Sequence, residues 1–166
     1  MSPAFVGLGS NIEDRARHLV AALEALGEIP DSKRVRVSSL YETDPVGDPR
    51  QPRFVNAVLH LDTSLEPDRL HDALHRIEAE AGRGAKDRSG ARTIDLDLLY
   101  HGARVLRSRG LTVPHPWAPD RLFVLIPMLE IAPEWIDPAL GVRLSDLLRR
   151  RRNLTAVRWF APPPKW

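Results

Sequence analysis

Apolar residues along this chain repeat with two different periods, and the order in which the two follow one another limits the fold more than any other feature. A strand turns alternate side chains to opposite faces, whereas a helix returns to the same face after three or four residues. Residues 4–9 set Ala4, Val6 and Leu8 against Phe5, Gly7 and Gly9, a strand that ends in the turn Gly9-Ser10-Asn11. Leu19, Ala22, Leu23 and Leu26 then form a helical stripe that stops near Gly27 and Pro30. Val35, Val37 and Ser39 alternate with Arg34, Arg36 and Ser38, predicting a second strand that continues through Leu40-Tyr41. Pro45, Gly47, Pro49 and Pro52 make residues 43–53 a loop, and a strand over 54–61 follows.

The second half repeats the pattern. Pro67 starts a helix with Leu70, Leu74, Ile77 and Ala81 on one face, and Gly82 closes it. After a loop over 82–92 come a strand over 93–100, a turn at His101-Gly102 and a short strand around Val105. Leu122, Leu125, Ile126 and Leu129 predict a further helix, kinked by Pro127, and Leu144, Leu147 and Leu148 another. An extended tail runs over 157–160. Strand, helix, strand, strand, helix, strand is the order of an α+β ferredoxin-like sandwich, a mainly antiparallel sheet with helices packed on it. That architecture hosts RNA-binding modules, sensors and enzymes alike, so function rests on the site.

Length and composition narrow the classes. At 166 residues and 43% hydrophobic, the chain is expected to form one domain over 1–166 with a self-sufficient core. The lack of cysteine excludes a disulfide framework, a thiolate nucleophile and cysteine-based metal centres. No apolar run reaches the about 20 residues of a membrane span, and the start Met1-Ser2-Pro3-Ala4-Phe5 does not read as a secretion signal. A cytoplasmic protein without membrane attachment is expected. The run 149–152, four consecutive arginines, reads as a solvated basic face.

Chemistry concentrates in Thr93-Ile94-Asp95-Leu96-Asp97-Leu98-Leu99. Alternation places Asp95 and Asp97 on one face, about 7 Å apart, with Ile94, Leu96 and Leu98 on the other. Two carboxylates on a rigid strand repel each other unless a cation lies between them, and magnesium takes one or two carboxylates plus substrate phosphates. By itself the pair also suits an exposed strand face. The preceding loop tips the balance, because Arg83, Lys86, Arg88 and Arg92 crowd around Asp87 among Gly82, Gly84 and Gly90. Anion-binding beside metal-binding capacity is what phosphoryl-type transfer requires. On the strand over 54–61, Phe54 and Asn56 share a face opposite Val55, Ala57 and Leu59. A flat heterocycle stacked on the ring and read by the amide suits that pair, as does a core layer with a backbone-paired asparagine. His115, between Pro114 and Pro116, reads as structural, and no serine triad or two-histidine zinc spacing is present.

Taken in order, these pieces resemble the 6-hydroxymethyl-7,8-dihydropterin pyrophosphokinases. The most specific stretch is Gly90-Ala91-Arg92-Thr93-Ile94-Asp95-Leu96-Asp97-Leu98-Leu99-Tyr100-His101-Gly102, similar to the family signature G-P-R-T-L-D-L-D with its apolar strand. Gly9-Ser10-Asn11, Tyr41-Glu42-Thr43-Asp44-Pro45, Gln51-Pro52-Arg53-Phe54-Val55-Asn56-Ala57, Leu111-Thr112-Val113-Pro114-His115 and Leu129-Glu130-Ile131-Ala132-Pro133-Glu134 accompany it. The resemblance implies diphosphate transfer from ATP to the pterin hydroxymethyl group, with AMP released, in folate biosynthesis. It implies that Asp95 and Asp97 hold two Mg2+ ions and that Arg83 and Arg92 act on the ATP phosphates. His115 and Arg121 would contact those phosphates, and Leu98 and Thr112 would lie near the nucleoside. The pterin would sit between Phe54 and Phe123, read by Asn56 and by the backbone from Thr43 to Val46. Glu78 matches a further family acid. Departures are Ser89 for a tryptophan, Ala91 for the signature proline, Pro116 for an aromatic, Ala85 or Lys86 at a second loop arginine, and a loop one residue shorter.

Two rival readings remain. A nucleotidyltransferase also uses an aspartate pair near a Gly-Ser turn, but Gly9-Ser10 lies far upstream. An RNA-binding module would use the basic segments, yet its aromatic strand motif is missing. The expectation is a monomer acting on the small molecules ATP and pterin, with no nucleic-acid partner.

Overall fold

The computed structural model describes residues 1–45, 50–81, 93–151 and 156–166. The first six elements are β1 (Ser2–Ser10), α1 (Arg15–Gly27), β2 (Ser32–Val37), β3 (Leu40–Thr43), β4 (Phe54–Thr63) and α2 (Pro67–Glu80). They continue as β5 (Asp95–His101), β6 (Leu106–Ser108), β7 (Leu111–Val113), α3 (Leu122–Ile131), β8 (Ile136–Asp137), β9 (Val142–Arg143), α4 (Leu144–Arg149) and β10 (Val157–Ala161). The main sheet runs β10, β3, β4, β1, β5, with β2 also paired to β4. Each of its pairings is antiparallel, the mainly antiparallel α+β sandwich expected from the element order.

Alternation along β1 divides the sheet into two faces. Ala4, Val6 and Leu8 point into a core with Leu19, Leu23 and Leu26 of α1 and Leu70 and Leu74 of α2. Phe5 points the other way, into a second core with Val58, Leu99, Tyr100, Val124, Leu125 and Met128. Each large side chain removed from water in this way contributes about 1.5–3 kcal/mol. A bulge opposite Phe5 and Val6 leaves Leu99 out of register, so Leu99 and Tyr100 both join the second core. That core covers only part of its face. Gly7 and Gly9, further along β1, line an open cavity instead.

Several expectations are corrected. The single strand expected through Leu40-Tyr41 is two, broken at Ser38-Ser39. At the break the Ser38 N–H donates to the Val58 carbonyl, and Ser38 Oγ accepts from the Val58 N–H. Glu130 of α3 holds the other side, accepting from the Ser39 N–H and hydroxyl and from the Tyr41 hydroxyl. Strand β5 begins at Asp95 and includes His101, and β6 begins after the exposed Val105. Ala81 lies past the end of α2, and Ala73 and Glu78 join Leu70 and Leu74 on its buried face. In α3 the buried residues are Val124, Leu125, Pro127, Met128 and Ile131 rather than the expected Leu122, Leu125, Ile126 and Leu129, because every residue of the helix but Glu130 is apolar and packing selects its inner face. Pro127 lies within the helix, as the expectation of a single helix there required. The β8 and β9 hairpin, not anticipated, turns on Asp137, whose Oδ1 accepts from the N–H groups of Ala139 and Leu140.

Candidate active site

Among the described residues, two cavities meet on the sheet. The first, about 380 Å³, is lined by Gly7 and Gly9 of β1, Thr43 of β3, Phe54 and Asn56 of β4, and Arg121 and Phe123 at the start of α3. Asp95, Asp97, Leu99, His115 and Trp117 complete much of its wall. The second, about 410 Å³, is lined by His71, His75 and Glu78 of α2, by Leu96 and Leu98 of β5, and by Leu111 and Thr112 of β7. Asp95, Asp97 and His115 line both. Both volumes suit small organic ligands.

The first cavity has a polar floor. Asn56, 7% exposed, donates from Nδ2 to Thr43 Oγ1 at 2.8 Å, leaving its carbonyl and second N–H for a ligand's edge. Across the sheet, Asn56 pairs with Gly9. A Cβ on Gly9 would stand 3.2 Å from Asn56 Oδ1 and 3.7 Å from Phe54 Cδ1, so the bare backbone there makes room for both side chains. Phe54 and Phe123 line the same cavity. The Arg121 guanidinium lies 4.9 Å from the Trp117 ring centroid and 5.7 Å from that of Phe123.

Where the cavities meet, local structure aims the polar groups. Asp95 and Asp97 pair across the sheet with Gly9 and Gly7, and the Asp97 side chain is 51% exposed. The His115 N–H donates to the Leu99 carbonyl at 2.8 Å, anchoring the histidine beside β5. Its Nδ1 accepts from the Trp117 N–H at 3.3 Å, which leaves the proton of a neutral ring on Nε2, 3.9 Å from Asp97 Oδ1. Glu78, 2% exposed, accepts from the Leu96 N–H at 2.8 Å and pairs with His75 Nδ1 at 2.9 Å. Burial, and then the neighbouring His75, push His71 below the ordinary histidine value.

Most of the residues singled out from sequence fall on these cavities. Thr43, Phe54, Asn56, Arg121 and Phe123 line the first, Leu98 and Thr112 the second, and Asp95, Asp97 and His115 both. Arg121 is on the first cavity with the aromatic residues, not on the second with Leu98 and Thr112. Val46, Arg83 and Arg92 lie outside the described residues, as do Ser89 and Ala91. Sequence reasoning missed Trp117, Gly7, His71 and His75. The spacing of His71 and His75, four apart on a helix, was the available signal for that pair.

Among the described residues no group of three or more histidine, aspartate or glutamate side chains is placed to hold a metal ion. Two carboxylates on one strand face still suit magnesium, which fills its remaining positions with phosphate oxygens and water.

Sheet, paired acids and joined cavities define an α+β protein with a two-part small-molecule site. The model of the 7,8-dihydro-6-hydroxymethylpterin-pyrophosphokinase (HPPK) family matches residues 5–133, and the chain belongs to this family. It is 41% identical over 150 residues to the 2-amino-4-hydroxy-6-hydroxymethyldihydropteridine pyrophosphokinase of Haemophilus influenzae, covering 90% of this chain and 93% of that one. The Pseudomonas aeruginosa protein of the same name is 46% identical over 144 residues, 87% and 88% of the two chains. In fold it is similar to an HPPK-DHPS crystallised with substrates, at a TM-score of 0.71 and 13% identity. That match covers 89% of this chain and spans 43% of the longer one.

Proposed function

We propose that this enzyme transfers a diphosphate from ATP to the hydroxymethyl group of 6-hydroxymethyl-7,8-dihydropterin, releasing AMP, as a step of folate biosynthesis. The observation that carries the reading is the sharing of Asp95, Asp97 and His115 between two cavities of different character. A reaction that joins two small molecules needs two sites that meet where bonds change. The aromatic and amide-lined cavity suits the pterin, stacked between Phe54 and Phe123 and read by Asn56. The cavity along Leu98 and Thr112 suits the nucleoside of ATP. The chain is read as one pyrophosphokinase domain over 1–166, a cytoplasmic monomer.

In this arrangement the hydroxymethyl oxygen attacks the β-phosphorus in line. The new oxygen–phosphorus bond forms as the bond to AMP breaks, and the hydroxyl proton leaves to solvent. Asp95 and Asp97 would hold the two magnesium ions expected with ATP. Ions held there would supply neutralisation of phosphate charge. His115 donates from Nε2 to a phosphate oxygen, and Arg121 lends positive charge from the neighbouring wall. Arg83 and Arg92 are assigned to the same phosphates on family resemblance. Little covalent work is left for a strong base, because such transition states are governed by positioning and electrostatics.

The test is product analysis with ATP, magnesium and hydroxymethyldihydropterin. AMP and the pterin diphosphate are the expected products. Free pyrophosphate would indicate nucleotidyl transfer and overturn the reading.

A further inference from the structure

We propose that His75 is a positioning residue for the aspartate pair, acting through Glu78 and the backbone of Leu96. The proposal rests on the assignment of Asp95 and Asp97 to the metal. Among the described residues, strand β5 is the last in the main sheet and pairs with β1 alone. On the side of β5 away from β1 no described strand adjoins it, and the amides there need acceptors from elsewhere. The Leu96 N–H, between the two aspartates, finds one in Glu78 Oε1 at 2.8 Å.

Glu78 is 2% exposed, and a carboxylate at that depth is tolerated only when hydrogen bonded. His75 supplies a bond to the second oxygen, its Nδ1 lying 2.9 Å from Glu78 Oε2. An ionised carboxylate only accepts, so the ring proton sits on Nδ1. His75 is one turn of α2 before Glu78, the spacing at which two helical side chains meet. Its own side chain is 55% exposed and lines the second cavity, edge-on to His71 with ring centroids 4.2 Å apart.

A chain of contacts thus runs from the wall of the nucleotide cavity, through a buried carboxylate, to the peptide group between the two acids. The imidazole fixes the rotamer of Glu78, Glu78 fixes the Leu96 amide, and that amide sets the direction of the flanking side chains. Without the imidazole donor, the Glu78 carboxylate loses one of the bonds that hold it, which weakens the support of β5 where metal geometry matters. Preorganisation of this kind is what outer groups supply to metal ligands. A ligand that touches His75 also acts on the same linkage.

His75→Phe and His75→Gln separate this role from filling of space, since only the amide of glutamine retains a donor. In the protein without ligands, we expect the Leu96 amide of His75→Phe to shift upfield and to exchange about tenfold faster, the equivalent of roughly one hydrogen bond. Binding of Mn2+ in place of magnesium, read from the free-ion electron spin resonance signal with a non-hydrolysable ATP analogue, should weaken several-fold. KM for the pterin should stay unchanged, and His75→Gln should restore the amide and the metal affinity. An unmoved Leu96 amide in folded His75→Phe overturns the proposal. So does a shifted amide with unaltered Mn2+ affinity. Neither readout needs turnover, so a failure of AMP release would overturn the proposed reaction without deciding this linkage.

Discussion

Asn56 Nδ2 donates to Thr43 Oγ1 at 2.8 Å and so ties β4 to β3 at the floor of the first cavity. The bond uses one donor of the amide and holds the rest of it towards the ligand. Asn56→Ala should weaken pterin binding by about 1–3 kcal/mol, the cost of leaving buried polar groups without partners, with ATP binding nearly unchanged. Thr43→Val, which removes the acceptor but keeps the shape, should have a smaller effect in the same direction. Calorimetry with each ligand separately is the check. Equal losses for both ligands would mean that Asn56 supports the fold and reads nothing.

Gly9 pairs with Asn56 on one side and Asp95 on the other. A methyl group placed there meets Asn56 Oδ1 at 3.2 Å, close enough to push the amide aside by a few tenths of an ångström but not to break the sheet. Gly9→Ala should therefore lower pterin affinity while thermal unfolding moves little. A variant that binds pterin normally would show that the amide has room to spare.

Asp95→Asn and Asp97→Asn should each lose most AMP release and remain folded. Both lie on the cavity-facing side of β5, outside the two hydrophobic cores, and removing one charge relieves repulsion between them. Circular dichroism with a product assay at saturating magnesium distinguishes the outcomes. Near-normal turnover in both variants would remove the metal assignment.

The two tyrosines of the chain should resist alkali. Burial, then the hydrogen bond to Glu130, pushes Tyr41 from 10.0 up to about 12, and burial beside Asp137 drives Tyr100 further in the same direction. A phenol whose folded value lies above its unfolded one leaves stability intact below pH 10 and drains it as pH rises further, because the unfolded chain then releases protons the folded chain keeps. Phenolate absorbance should be absent just above pH 10 and appear together with unfolding. Glu130→Gln should bring the Tyr41 titration towards its ordinary value. A phenolate signal from both tyrosines at pH 10 in the folded protein would contradict this.

The resemblance of residues 90–102 to one family was legible before any fold was known, and so were the faces of β1, β4 and β5. Side-chain direction on a strand is set by the backbone of that strand alone, so alternation was enough to put Asp95 beside Asp97 and Phe54 beside Asn56. Helix α3 was harder. The stripe read there, Leu122, Leu125, Ile126 and Leu129, contains one buried residue, Leu125, because nearly every residue of the helix is apolar and its inner face emerged only on packing against Phe5 and Val58. The break at Ser38-Ser39 depends on Glu130, about ninety residues away, and the floor of the cavity on a bond from β4 to β3. The meeting of two cavities at Asp95, Asp97 and His115 needs β5, β7 and the segment before α3 to converge. Local sequence determined which side chains each element presents, because that follows from backbone periodicity. Tertiary structure alone decided which part of the sheet stayed uncovered, because that depends on where distant helices come to rest.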